Sequence, residues 1–131
     1  MYTAQAAYGA YSRDKVLTAS PIELIIMLYD EAIKQLKLAE IAIEDKKYDK
    51  ANNSLQKVLA IIDELVKCLD LSIQIGRDLL DIYEFVCKSV IAINAKKDKE
   101  SIPPIIEILN NLREAWIEAK KGAGNMYAVE E

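Results

Sequence analysis

From Pro21 to Gly122 the chain is broken only by Gly76 and by the pair Pro103-Pro104, and apolar residues recur along it every three or four positions. A half-buried strand alternates at a period of two, and a sheet of short strands needs frequent turn residues. Neither pattern is present. A 3.6-residue period with so few breakers demands long helices, each burying one apolar side.

Punctuation divides this stretch into four helices. Ser20-Pro21-Ile22-Glu23 reads as a capping box, with serine at the N-cap, proline at the first helical position and glutamate at the third. The first helix is predicted to run to about Glu44, with Ile22, Ile25, Ile26, Tyr29, Ala32, Ile33, Leu36, Ala39 and Ile43 inward. After the charged turn Asp45-Lys46-Lys47-Tyr48-Asp49, the second runs from about Asp49 or Lys50 to Leu71, burying Ala51, Leu55, Val58, Leu59, Ile62, Leu65, Val66 and Leu69. The third, about Ile75 to Ala95, turns Leu79, Ile82, Tyr83, Val86, Val90 and Ile93 inward. Ser101 is expected to cap the fourth, which tolerates Pro103 and Pro104 in its first turn and stops at Gly122. Its inward residues are Ile105, Ile108, Leu109, Leu112, Ala115, Trp116 and Ala119. Connections this short place consecutive helices antiparallel. The expectation is therefore an all-α fold: an antiparallel up-down-up-down four-helix bundle over residues 20–121. An N-terminal arm (1–19) packs on it, and 122–131 form a loose C-terminal tail.

A chain of 131 residues is one domain. Its net charge of −4 and the absence of a basic stripe argue against nucleic acid as a partner. Lys96, Lys97 and Lys99 cluster, but Asp98 and Glu100 interleave with them, as in a solvated loop at a helix C-terminus. No run of about 18 apolar residues exists to insert stably in a membrane, and Met1 to Ala10 lacks the pattern of a signal peptide. The expected compartment is the cytosol.

Chemistry is scarce. The chain has no histidine, which removes the commonest general base and transition-metal ligand. It also removes the Glu-x-x-His pairs of a ferritin-like metal site. The carboxylate pairs Asp30/Glu31, Asp63/Glu64 and Asp78/Asp81 fall on charged helix faces, where nothing raises a pKa toward a general acid's. Gly122-Ala123-Gly124 lacks the flanking strand and helix of a phosphate loop. Cys68 and Cys87 sit at different heights in their hairpin, too far apart for a disulfide, and read as structural thiols. No catalytic residue, cofactor, metal or small-molecule substrate is expected, and the chain is read as not an enzyme.

What remains is an excess of apolar residues outside the four core stripes. Met27, Leu38 and Ile41 sit among Glu23, Asp30, Lys34 and Asp45 on the first helix; Ile61 and Cys68 flank the core edge of the second. Leu80, Cys87 and Ile91 form a second stripe on the third helix, from which Phe85 faces away, and Ile106 and Ile117 repeat on the fourth. Single exposed apolar residues are ordinary. Regular spacing on several helices points instead to grooves for partner helices. Met27, Leu38, Ile61, Leu80, Cys87, Ile91, Ile106 and Ile117 are the groove candidates.

The stretch Ala10-Tyr11-Ser12-Arg13-Asp14-Lys15-Val16-Leu17-Thr18-Ala19-Ser20-Pro21, continuing as Ile22-Glu23-Leu24-Ile25-Ile26-Met27-Leu28-Tyr29-Asp30, resembles the signature of the FliS family of flagellin-specific export chaperones. Tyr48-Asp49-Lys50-Ala51-Asn52, Leu69-Asp70, Ile82-Tyr83-Glu84-Phe85 and Leu112-Arg113-Glu114-Ala115-Trp116 follow the family in order and spacing, so the likeness spans about residues 8–120. The resemblance implies a cytosolic bundle that binds the disordered C-terminal segment of flagellin, prevents early polymerisation and delivers it to the flagellar type III export apparatus. It further implies that the client wraps the chaperone, with short helices in apolar grooves, and that the arm shifts to admit it; Tyr8, Tyr11 and Val16 are assigned to that arm. Many relatives carry Gly-Gly between helices 2 and 3, where this chain has Leu71-Ser72-Ile73-Gln74-Ile75-Gly76. A tighter turn or an earlier start of helix 3 is expected there. The alternative reading is a non-catalytic scaffold or self-assembling adaptor with the same fold.

Overall fold

The computed structural model describes residues 21–121, which form four α-helices and one short 3-10 turn, with no strand among the described residues. The helices are α1 (Pro21–Glu44), α2 (Tyr48–Lys67), α3 (Gln74–Lys96) and α4 (Ile102–Lys121), and the 3-10 turn is Lys99–Ser101. The arm, the capping Ser20 and the tail lie outside the described residues.

The apolar stripes meet in one core. Leu28, Tyr29, Leu36, Leu55, Val58, Ile62, Leu65, Tyr83, Val86, Val90 and Leu109 are almost wholly buried. α1 packs most extensively on α2, then on α4; α2 also meets α3, whereas α3 and α4 touch little. That central place explains why Leu28 and Ala42, outside the expected stripe, are buried too. A helix with neighbours on two sides buries a wider sector than a single seam requires. Ile26, Leu59, Val66, Leu69, Ile82, Ile108 and Leu112 are only partly buried at the rim of the core. Ala115, expected inward, is exposed.

Polar pairs record how the helices lie. Glu23 Oε2 is 2.7 Å from Lys120 Nζ, Asp30 accepts from Arg113 Nε, and Glu44 Oε1 is 2.7 Å from Lys99 Nζ. Numbers thus fall along the C-terminal part of the chain as they rise along α1. Between α2 and α3, Asn94 Nδ2 donates to Asn52 Oδ1 at 2.8 Å. These exposed or half-exposed pairs mark the register, which apolar burial sets.

The connections differ in detail from the sequence expectation. After α1, Lys46 takes a left-handed φ of 58°, and the amides of Lys46 and Lys47 reach back to the carbonyls of Ile43 and Ala42. That is a Schellman closure with lysine where glycine is usual. α2 ends at Lys67, four residues before the expected Leu71. Asp70 ends the run: its Oδ1 accepts from both the amide and the hydroxyl of Ser72, an Asx turn that also holds the Asp70 carboxyl below its usual 3.8. α3 then begins at Gln74, one residue early, with Gly76 against the carbonyl of Asp70. Ser101 is the last residue of the 3-10 turn, and its hydroxyl donates to Asp98 Oδ2 at 2.6 Å.

Candidate partner-binding surface

The surface follows from what the core leaves out. On α3, Ile91 is 56% exposed, while Leu80 and Cys87 on the same stripe are half-buried beside it. On α4, Ile106 and Ile117 are half-buried. At about 100° per residue they share a face with Asn110 and Arg113, and Arg113 binds Asp30 across the α1/α4 seam. Leu38 is 43% exposed on the outer side of α1. The structure therefore distributes the candidates over three places: the α3 stripe, the α1/α4 seam and the outside of α1.

Two candidates are corrected. Met27 and Ile61, read as lying off the core, are buried at 4% and 0%. Ile61 belongs to the core where α2 packs on α1, so the buried sector of α2 reaches past the stripe assigned to it, whereas Met27 is buried outside that core. Tyr8, Tyr11 and Val16 lie outside the described residues.

Sequence reasoning also misjudged Glu31, assigned to a charged face. It is only 3% exposed and accepts from Gln35 Nε2 at 2.7 Å. The spacing of one helical turn between Glu31 and Gln35 was the available signal. Exposed Ile41, Phe85, Leu71, Ile73, Ile75 and Tyr48 extend the apolar surface beyond the candidates.

Under this surface lies a polar knot. Trp116 Nε1 donates to Tyr29 Oη at 3.3 Å, and the hydroxyls of Tyr29 and Tyr83 are hydrogen-bonded. One side chain each from α4, α1 and α3 meets there. Burial, reinforced by Tyr29, pushes the Tyr83 hydroxyl far above its ordinary pKa, so it stays protonated and available as a donor. Cys68 and Cys87 are free thiols. Desolvation raises both above the ordinary 9.0, aided by Glu64 at Cys68 and by Asp63 and Glu84 at Cys87, so thiolate is scarce near neutrality. Among the described residues no cluster of acids and cysteines is arranged to hold a metal, and no helix is long and apolar enough to cross a membrane.

Residues 4–123 match the family described as Flagellar protein FliS. The chain belongs to the FliS family. It is similar to the protein named Flagellar secretion chaperone FliS of Bacillus subtilis (strain 168), with 31% identity over 115 residues, covering 88% of this chain and 86% of that relative. The protein of the same name from Salmonella typhimurium is 32% identical over 122 residues, covering 88% and 90%. That from Vibrio cholerae is 29% identical over 127 residues, covering 95% and 93%. FliS is a family of flagellar secretion chaperones and not of enzymes.

Proposed function

We propose that this FliS family member is a cytosolic chaperone for the disordered C-terminal segment of flagellin, preventing premature polymerisation and delivering its client to the flagellar type III export apparatus. The observation that carries this reading is the off-core apolar stripe Leu80, Cys87 and Ile91 on α3, matched by Ile106 and Ile117 on α4. Such stripes suit amphipathic segments that fold as they bind.

The proposed architecture is an antiparallel up-down-up-down bundle over 20–121. The arm 1–19 packs on it through Tyr8, Tyr11 and Val16 and shifts when the client enters, and 122–131 trail as a tail. The opposed register of the ion pairs that join α1 to α4 and to the 3-10 turn before it supports the antiparallel placing of α1 and α4. Burying four or five apolar side chains at about 1.5–3 kcal/mol each releases roughly 6–15 kcal/mol. Ordering the client takes back about 2–5 kcal/mol, which leaves micromolar to nanomolar affinity within reach.

Calorimetric titration with a flagellin C-terminal peptide tests the proposal. One-to-one binding with a gain of peptide helicity is expected; no heat and no shift on a sizing column would overturn it. Ile91→Asp is expected to weaken binding about tenfold or more while the fold is kept, whereas Ile25→Asp puts an unpaired charge in the core and unfolds the protein. If Ile91→Asp also melts the protein, the α3 stripe is core and not surface. A scaffold or self-assembling adaptor instead predicts association without flagellin.

A further inference from the structure

Among the described residues, the seam between α3 and α4 is the least closed: these two helices touch little, whereas α1 packs on α2 and α4, and α2 on α3. Both of its walls are apolar. On α3, Ile75 and Phe85 are 39% and 56% exposed, and Ile82 is half-buried. At about 100° per residue Phe85 lies opposite Asn94. Asn94 bonds Asn52 of α2, so Phe85 is on the side away from α2. On α4, Ile108 and Leu112 are half-buried and Ala115 is exposed. They occupy the flank away from Arg113 and Lys120, which bind α1.

The chain leaves α4 close to this seam. Tyr83 and Trp116 both bond Tyr29, so they sit at one level. With α3 and α4 antiparallel, as proposed above, Lys121 lies about 7–8 Å beyond Trp116, and Ile75 about 12 Å beyond Tyr83, toward the same end. Neighbouring helix axes are about 8–10 Å apart, which puts Lys121 about 10 Å from Ile75. Residues 122–125, with Gly122 and Gly124 to turn the chain, reach about 13–14 Å when extended. Met126, Tyr127, Ala128 and Val129 come next.

We infer that residues 126–129 dock in the α3/α4 seam, with Tyr127 and Val129 over Ile75, Ile82 and Phe85. Alternate side chains of an extended stretch share a side, so Tyr127 and Val129 face the groove together. The tether selects this occupant. The arm leaves α1, which forms neither wall of the seam. A second copy competes at its bulk concentration with a segment that a short flexible linker holds at about millimolar effective concentration. Residues 122–125 are then the loose part of the tail. Leu80, Cys87 and Ile91 lie on the other flank of α3, so the docked tail braces the helix that presents them. The dock does not depend on what that stripe binds.

The test is nuclear magnetic resonance on the full chain. Overhauser contacts from the Tyr127 ring to the methyls of Ile75 and Ile82 and to the Phe85 ring are expected, unchanged on dilution. Tyr127→Asp with Val129→Asp should speed amide exchange along residues 75–85 about tenfold, while the middle of α1 and α2 keeps its protection. Phe85→Ser, at an exposed position where the fold is kept, should do the same. Combining all three substitutions should add nothing, since each side of one contact is then already gone. Absence of contacts from Tyr127 to α3, unchanged exchange, or effects that simply add overturns the inference. So do contacts seen only between differently labelled molecules, since the seam then takes a second copy's tail. Contacts from Tyr8 or Tyr11 to Phe85 overturn it as well, because they give the seam to the arm. No flagellin enters the experiment, so its failure leaves the client proposal standing.

Discussion

Lys46 closes α1 in the left-handed region at φ 58°, where its amide bonds back to the carbonyl of Ile43. A non-glycine residue there costs about 1–2 kcal/mol, of which glycine's extra freedom in the unfolded chain takes back a part. Lys46→Gly is expected to stabilise the protein by about 0.5–1 kcal/mol in chemical denaturation. Tyr83 is the opposite case, a buried hydroxyl whose partner is present. Tyr83→Phe removes its bond to Tyr29 and is expected to cost about 1 kcal/mol. The pH dependence has a definite sign. Tyr83 is held protonated in the fold above its ordinary 10.0, so its contribution is complete below about pH 10 and is lost as pH rises further. The unfolded chain ionises first and gains. Denaturation midpoints followed upward from pH 9 should therefore fall less steeply in Tyr83→Phe than in the parent protein. The sequence marked Tyr83 and Trp116 as inward, but not that they converge with Tyr29, since the three lie on different helices.

At the scale of elements, the α2–α3 connection turns on one close backbone approach. Gly76 meets the carbonyl of Asp70, where an added Cβ would lie 2.0 Å from that oxygen. Both groups are backbone, so neither can swing away. Gly76→Ala is expected to cost about 1–3 kcal/mol, read from thermal unfolding, with loss concentrated at the start of α3. The helix pattern itself was legible: α1 spans the expected Pro21–Glu44 because proline and the charged turn bound it. The early end of α2 was not, although its cause is local. Asp70 and Ser72 compete with the helix for backbone bonds, and the apolar period of Val66 and Leu69 masked that competition.

At the scale of the whole molecule, contacts among the described residues are uneven. α1 is held by α2 and α4, whereas α3 is held chiefly by α2 and meets α4 little. Local opening follows contact density, so amide exchange should be slowest in the middle of α1 and α2 and measurably faster along α3. Uniform protection across all four helices would contradict that ordering. A lightly held α3 is also the helix that carries Leu80, Cys87 and Ile91, which places the proposed client stripe where the fold yields most readily.

By itself the sequence determined that the described chain is helical, which residues form most of its core, that it lacks histidine chemistry, and that it resembles FliS chaperones. These follow from properties that one helix expresses alone: period, breakers, caps and residue type. Tertiary structure decided which off-core residues are surface. Met27 and Ile61 are buried and Ala115 is exposed because burial depends on how many neighbours a helix has and how wide a sector they cover. It also buried Glu31 beside Gln35, and gathered eight charged residues from three helices and a turn around Leu38 and Ile41 so that basic residues outnumber acids there. The sign of a local field, like the width of a buried sector, is a sum over neighbours, and only packing says who the neighbours are.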